Sequence, residues 1–375
     1  MKSFLIVTHK FLTLPDDELV SYLIDKNISV LHINHSFNDA PDRVSKCEYY
    51  VGGKRVSTCK SWDFKFLPEP LIYLKELLFT FYYVARYFKK YDYYIGLDGL
   101  CVFFGLLLRF FGVVGKVVYW AIDFVPKDRF SSKLKNFIYT SINILGYRNC
   151  DEMWDLSPRM QEARSEFLGV STKDYKSLKV VPYGFWTTRI KTYKYEESDK
   201  KKLVFMGHLI EKQGVQLLLQ ALVLLPDEIT LKIIGIGNYK ESLVGLSKSL
   251  GIYHRCEFVG KIEDIRILED EIAKCAIAVA PYIKSLDTWT YYADPGKVKT
   301  YIACGVPILL TDLPWNSSDI VESKCGFIIQ EDPKDIADKV LVLLDIKLNN
   351  LYRENCINYS KSYDYEKIFS GAVSL

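Results

Sequence analysis

Tyr291-Tyr292-Ala293-Asp294-Pro295-Gly296-Lys297-Val298-Lys299-Thr300-Tyr301-Ile302-Ala303-Cys304-Gly305-Val306-Pro307-Ile308-Leu309 decides the fold. It reads as a loop, a proline beside a helix start, one short helix, a glycine at the helix end, then proline and an apolar strand. Lys297 falls in the first turn of that helix, where a lone cation opposes the helix dipole. A bound phosphate sharing the site makes the same cation favourable. Asp294 stands where it caps the helix.

The same strand–turn–helix unit recurs on both sides. Strands are predicted over 202–206, 230–234, 257–259, 277–280, 307–310 and 326–329, with helices over 215–225, 240–250 and 334–345, and the last 25 residues are helical too. The first half alternates likewise, with strands over 3–7, 28–33, 93–97, 116–122 and 152–155. Its helices are 16–25, 70–89, 100–111, 133–145 and 157–168, and an irregular stretch surrounds Gly52-Gly53. Alternation of this kind requires right-handed crossovers onto mainly parallel sheets with helices on both faces. The fold class is therefore α/β, two Rossmann-like doubly wound domains facing across a cleft at the carboxyl ends of their strands. The expected divisions are 1–182, 183–352 and a C-terminal helix, 353–375, packing back towards the first domain. The polar stretch 192–202 is the best linker.

A length of 375 residues suits two domains of about 180 residues. The first 182 residues carry 25 Lys and Arg against 20 Asp and Glu, the remainder 24 against 26. So mild an imbalance argues against nucleic acid as a partner and permits a local basic face on the first domain. The nine cysteines are odd in number, without a Cys-x-x-Cys pair, and lie mostly in apolar runs such as Lys274-Cys275-Ala276-Ile277-Ala278-Val279. They read as buried, reduced thiols of a cytoplasmic protein. Met1 to Lys10 reads as a first strand, since the apolar run of a signal peptide is longer. Residues 95–124 are very apolar, but Asp98, Arg109 and Lys116 interrupt them short of a membrane span.

Two glycine turns carry phosphate-binding chemistry. Gly235-Ile236-Gly237-Asn238 follows an apolar strand and precedes a helix, an arrangement that lets backbone approach a phosphate at a helix N-terminus. An ordinary tight turn also accounts for a lone Gly-x-Gly. Met206-Gly207-His208-Leu209-Ile210-Glu211-Lys212-Gln213-Gly214 occupies the matching turn one unit earlier, where His208 or Lys212 can donate to a diphosphate. In the first half, Asp98 and Asp123 each follow an apolar strand, at the edge where ligands of such sheets bind. Asp98-Gly99 is also ordinary turn chemistry. His32-x-x-His35 lacks a third His or Cys nearby and reads as a loop after a strand, with no metal. Residues 71–94 interleave Tyr and Phe with Lys75, Arg86, Lys89 and Lys90; this suits either a membrane interface or a helix covering the sheet with its cations extended to water.

The ordered set Gly207-x-Leu209 with Lys212-x-Gly214, the strand–Gly-x-Gly–helix, then Asp294-Pro295-x-Lys297 and Tyr301-x-Ala303-Cys304-Gly305-x-Pro307 resembles family 4 of the retaining GT-B glycosyltransferases, in the branch serving bacterial surface polysaccharides. The resemblance covers residues 180–329 well. In the first domain, Tyr119-Trp120-Ala121-Ile122-Asp123-Phe124-Val125-Pro126 and Met153-Trp154-Asp155-Leu156-Ser157-Pro158 are similar to the family's strand-ending segments.

The resemblance implies a hexosyltransferase using a UDP- or GDP-sugar, without a metal or other cofactor, on a glycan or lipid-linked glycan acceptor at the cytoplasmic face of the inner membrane. It further implies that Gly207, Gly235 and Gly237 approach the diphosphate and that Lys297 contacts it, with His208 and Lys212 as further donors. Two departures stand out. His208 and Gln213 replace the family's common Arg and Lys. The family's acidic pair falls on Tyr292 and Thr300, so Asp294 or Asp287 takes up part of the grip on the donor. Asp123, Asp98 and Lys297 are the expected catalytic residues, the first two on the acceptor side. A sugar-nucleotide epimerase or hydrolase of the same fold, and a non-catalytic nucleotide- or glycan-binding protein, are the competing readings; the missing acidic pair favours the second of these.

Overall fold

The computed structural model describes residues 2–10, 15–36, 44–63, 67–87, 90–124, 129–286 and 289–373. The chain divides into two compact units, Met1–Pro182 with Ile368–Leu375, and Tyr183–Lys367. Val125-Pro126 and Asp287 lie outside the described residues.

The first unit is built on β1 (Ser3–Lys10), α1 (Pro15–Asp25), β2 (Ser29–Ser36), β3 (Lys46–Val51), β4 (Lys54–Lys60), α2 (Glu69–Arg86) and β5 (Tyr91–Gly96). It continues through α3 (Gly99–Phe110), β6 (Val114–Ala121), α4 (Lys133–Asn149), β7 (Glu152–Asp155), α5 (Arg159–Leu168) and β8 (Leu178–Val180). The sheet order is β4-β3-β2-β1-β5-β6-β7-β8. Phe4, Leu5, Ile6 and Val7 of β1 are all fully buried, as a strand covered on both faces must be. From β2 to β8 the neighbours run parallel, and β3 and β4 add an antiparallel edge. The stretch expected to be irregular is thus a hairpin. Gly52 and Gly53 sit at φ 57° and 75°, the left-handed pair that a two-residue hairpin turn requires.

Two large residues seat the far side of this sheet. Trp120 and Trp154 stand opposite each other on β6 and β7, both fully buried, with ring centroids 5.6 Å apart. Phe369 packs edge-on against Trp120 at 6.1 Å. Asp155 is buried with Arg164 in an ion pair, and the Tyr175 hydroxyl accepts from Arg164 Nε at 2.7 Å. His32 and His35, read from sequence as a loop, lie within β2. Three residues apart on a strand, they point to opposite faces. His32 Nε2 meets Asp16 at 2.8 Å, while His35 is held by the Ser45 and Thr80 hydroxyls.

The second unit carries β9 (Asp199–Met206), α6 (Val215–Val223), β10 (Thr230–Ile234), α7 (Lys240–Ser249), β11 (Cys256–Gly260), α8 (Ile265–Ala273) and β12 (Cys275–Ala280). Then come α9 (Gly296–Ala303), β13 (Ile308–Thr311), α10 (Ser317–Glu322), β14 (Gly326–Ile329), α11 (Pro333–Leu343) and α12 (Ile346–Ser360); α13 (Tyr365–Ala372) starts in this unit and from Ile368 belongs to the first. Its sheet is parallel throughout, ordered β11-β10-β9-β12-β13-β14. Every residue of β12 is buried, and its run of small apolar side chains lets helices pack on both faces. The chain winds outward from β9 in one direction and from β12 in the other, so the switch point lies between these two strands.

Two expectations need correction. The stretch 192–202 is not a free linker: Tyr195 is buried, its hydroxyl donates to Leu344 O at 3.0 Å, and Asp199 already begins β9. The chain's end is two helices, α12 and α13, joined by a short turn. Of the nine free cysteines, only Cys59 and Cys256 are not buried.

Candidate functional site

In the second unit the carboxyl ends of β9 and β12 meet the start of α9. The Lys297 ammonium lies 2.9 Å from where a Cβ on Gly207 would stand. It rests over the rings of Phe205 and Tyr282, 4.4 and 4.8 Å from their centroids, and donates to Gln213 Oε1. The cation therefore sits at the switch point, on aromatic faces that stabilise its charge. Gln213, a departure from the family pattern, is the residue that holds it. Lys212 lies beside it, its carbonyl accepting from Ile283 N at 3.0 Å, and His208 is exposed on the loop after Gly207.

The Gly235 and Gly237 turn is explained first by packing. A Cβ on Gly235 would lie 1.8 Å from the Gly207 carbonyl oxygen, and one on Gly237 2.1 Å from that of Leu209. Gly207 N donates to Ile234 O at 2.9 Å, Leu209 N to Ile236 O at 2.8 Å, and Tyr239 N to Leu209 O at 3.0 Å. The two glycine turns are thus laced into one backbone surface, and α7 starts only at Lys240. Glycine here lets one turn approach the other, and the approach fixes the loop that carries Gly207.

Asp294 does not cap α9, whose N-cap residue is Pro295. Its buried carboxylate instead accepts from Lys299 Nζ at 2.5 Å, Trp315 Nε1 at 2.9 Å and Tyr183 N at 2.8 Å. Burial lowers the Lys299 pKa, with Asp294 offsetting part of the shift. Thr300 Oγ1 donates to Gly296 O at 3.1 Å, one turn back along α9.

In the first unit the switch point lies between β1 and β5, and Asp98 follows β5. Asp98 caps α3, accepting from Cys101 N at 2.9 Å, and its other oxygen lies 2.7 Å from His9 Nδ1. His9 Nε2 is 3.0 Å from Glu76 of α2, and Cys101 Sγ is 3.4 Å from His9 Nδ1. Burial opposes charge on His9, but Asp98, Cys101 and Glu76 outweigh it and raise its pKa well above 6.5. Burial likewise opposes ionisation of Asp98, yet the His9 charge and the His9 and Cys101 hydrogen bonds hold it well below the usual carboxylate range. Asp123, just past β6, is 64% exposed and 4.0 Å from Arg129.

Sequence reading missed His9 and Glu76. His9 ends the first strand, the same strand-end signal that pointed to Asp98; Glu76 stands mid-helix, where nothing in the sequence separates it from a solvated face. Among the described residues, two groups place three ligand-type atoms within 4.8 Å of one another: His9, Asp98 and Cys101, and Asp16, Asp17 and His32. In the first, His9 bonds both Asp98 and Cys101; in the second, His32 pairs with Asp16 while Asp17 pairs with Lys10.

Residues 200–345 match the family described as glycosyl transferases group 1. An uncharacterised glycosyltransferase of Methanocaldococcus jannaschii is 24% identical over 274 residues, 66% of this chain and 65% of that protein, so the match spans just under two thirds of the relative's length. Among solved structures, sucrose-phosphate synthase from Thermosynechococcus elongatus aligns over 99% of this chain and 97% of that one, with a TM-score of 0.73 at 16% identity. HepE from Anabaena, solved in complex with UDP-glucose, aligns over 100% of both chains with a TM-score of 0.68 at 14% identity. The chain has the GT-B fold, and its residues 200–345 match the model of the group 1 glycosyl transferases.

Proposed function

We propose that the chain is a glycosyltransferase that moves a sugar from a nucleotide-sugar, a UDP- or GDP-sugar, to a glycan or lipid-linked glycan, with retention, in surface polysaccharide biosynthesis. The observation that carries this reading is the Lys297 ammonium set against Gly207 at the switch point of the second sheet. A diphosphate leaving group gathers negative charge as the glycosidic bond breaks, and a preorganised cation beside bare backbone stabilises it there. Lys297 itself lies in the first turn of α9, where the helix dipole also favours an anion. The UDP-glucose complex of HepE supports a uridine nucleotide as the donor carrier.

On the acceptor side, Asp123 is the exposed carboxylate suited to take a proton, and Asp98 is a fixed anion suited to orient a hydroxyl. Leu71, Leu74, Leu78 and Tyr82 are exposed along one face of α2, and Leu134, Phe137 and Ile138 on α4. Such faces support peripheral contact with the membrane surface that holds a lipid-linked acceptor. Among the described residues no helix is long and apolar enough to cross a membrane.

One observation favours the non-catalytic reading. Thr300, at the place of a family acid, donates its hydroxyl within its own helix and has no charge for a ribose. Incubation with UDP-, GDP-, ADP- and CMP-sugars, following nucleotide release with and without a crude glycan acceptor, separates these readings. Release that depends on acceptor supports transfer. Release without acceptor supports hydrolysis, and binding without release supports a binding protein.

A further inference from the structure

His9 has a carboxylate on each ring nitrogen, Asp98 on Nδ1 at 2.7 Å and Glu76 on Nε2 at 3.0 Å. An ionised carboxylate only accepts, so both contacts are satisfied together when both nitrogens carry hydrogen, which is the imidazolium. The arrangement is graded from inside to outside. The Glu76 side chain is 1% exposed, that of His9 11% and that of Asp98 34%. Among the described residues, Tyr73 from α2, with centroids 6.5 Å apart, Cys101 from α3 and His35 from β2, 5.4 Å away, also face the ring. His35 stays neutral between two hydroxyls, its pKa pushed down by burial and then by the His9 charge and Lys75.

We propose that Glu76 and His9 are positioning residues that hold Asp98 as a fixed hydrogen-bond acceptor, and that Asp98 binds hydroxyl groups of an uncharged saccharide. Asp98 accepts from His9 and from Cys101, and a carboxylate with about four lone-pair sites keeps acceptor capacity beyond them. Arg129, whose pKa burial lowers while Tyr139 and then Asp123 and Asp98 raise it, donates to the Tyr139 hydroxyl at 3.2 Å and adds a cation to this edge of the sheet. Hydroxyls both donate to carboxylates and accept from a guanidinium, so a neutral polyol matches the set. A uronic acid brings a further negative charge towards Asp98 and Asp123; the His9 imidazolium is already shared between Asp98 and Glu76, which leaves Arg129 to offset it. The identification of this saccharide with the acceptor rests on the function proposed above; the role of the His9 pair does not.

The test uses the full chain with methyl β-glucoside and methyl β-glucuronoside as probes, by ligand-detected NMR, while the His9 imidazole resonance is followed against pH. In the wild type His9 stays protonated well above the ordinary 6.5, and the neutral glucoside binds about tenfold more tightly than the glucuronoside, the worth of one charge-assisted contact. Asp98→Asn removes glucoside binding, by about tenfold or more. Glu76→Gln lowers the His9 titration relative to the wild type and makes glucoside binding pH-dependent across that titration. Titration of wild-type His9 near 6.5, preference for the glucuronoside, or glucoside binding indifferent to Asp98→Asn would each overturn the proposal. If Glu76→Gln fails to fold, the wild-type titration and Asp98→Asn decide it. Absence of UDP binding would instead fault the donor reading and leave the His9 titration standing.

Discussion

Asp294 and Lys299 form a buried ion pair 2.5 Å long, and together they hold both backbone groups of Tyr183. The Tyr183 N–H donates to Asp294 at 2.8 Å, and its carbonyl accepts from Lys299 at 3.0 Å. Lys299 also lies over the Tyr363 ring, 4.4 Å from its centroid. Lys299 of α9, with Asp294 just before it, thus ties the helix to the first residue of the second unit.

Removing the carboxylate leaves the ammonium buried without its counter-charge. Asp294→Asn is expected to cost about 3–5 kcal/mol in urea unfolding at neutral pH. Lys299 has a pKa below the ordinary 10.5, burial being the main cause. Between the lowered value and 10.5 the unfolded chain binds more protons than the folded one, so this group's contribution to stability rises with pH there. In Asp294→Asn the offset from Asp294 is gone and the interval widens towards neutrality. The variant therefore recovers part of its loss on going from about pH 7 to 9. A loss that stays constant with pH contradicts this account.

The glycine turns separate folding from binding. Gly235→Ala and Gly237→Ala drive a Cβ into the backbone oxygens of Gly207 and Leu209, which have no room to retreat. Each is expected to destabilise the second unit by about 3 kcal/mol or more. Gly207→Ala meets no backbone atom, only the flexible end of Lys297 and the edge of the Phe205 ring, but φ 152° strains an L side chain there. Its expected effect is a smaller loss than at Gly235 and Gly237, about 1–2 kcal/mol, together with weaker UDP binding. Thermal melts of the three variants with and without UDP check both halves.

Much of this was legible in advance, for physical reasons. Strands such as β12, apolar at every position, and the helix punctuation around Pro295 and Gly305 are local signals. The hairpin at Gly52-Gly53 escaped because β3 and β4 carry Lys, Glu and Arg at an exposed edge and lack a buried strand's pattern. Lys297 stood out in the sequence because a cation in a first helical turn favours an anion beside it; its place against Gly207 did not, since the two are 90 residues apart. Asp294 was misread as a cap because sequence spacing cannot distinguish an N-cap from a carboxylate turned inward to Lys299. Glu76 was invisible for a related reason: its partner His9 is 67 residues away on another element.

The exposed face of α2 yields a surface prediction. Leu74→Glu with Leu78→Glu alters two side chains that are 48% and 61% exposed, so folding stability should change by less than about 1 kcal/mol. Co-sedimentation with vesicles of mixed anionic and zwitterionic lipid should fall several-fold. Unchanged sedimentation would remove α2 from any membrane contact.

The central claim is that Lys297, held at the switch point between β9 and β12, grips the diphosphate of a nucleotide-sugar. Calorimetric titration of UDP and GDP into the wild type and Lys297→Ala tests it most directly. At least one nucleotide should bind the wild type, and its Kd should rise by about tenfold or more in Lys297→Ala at an unchanged melting temperature. Equal affinity in the two proteins, or no binding of either nucleotide to the wild type, contradicts the account.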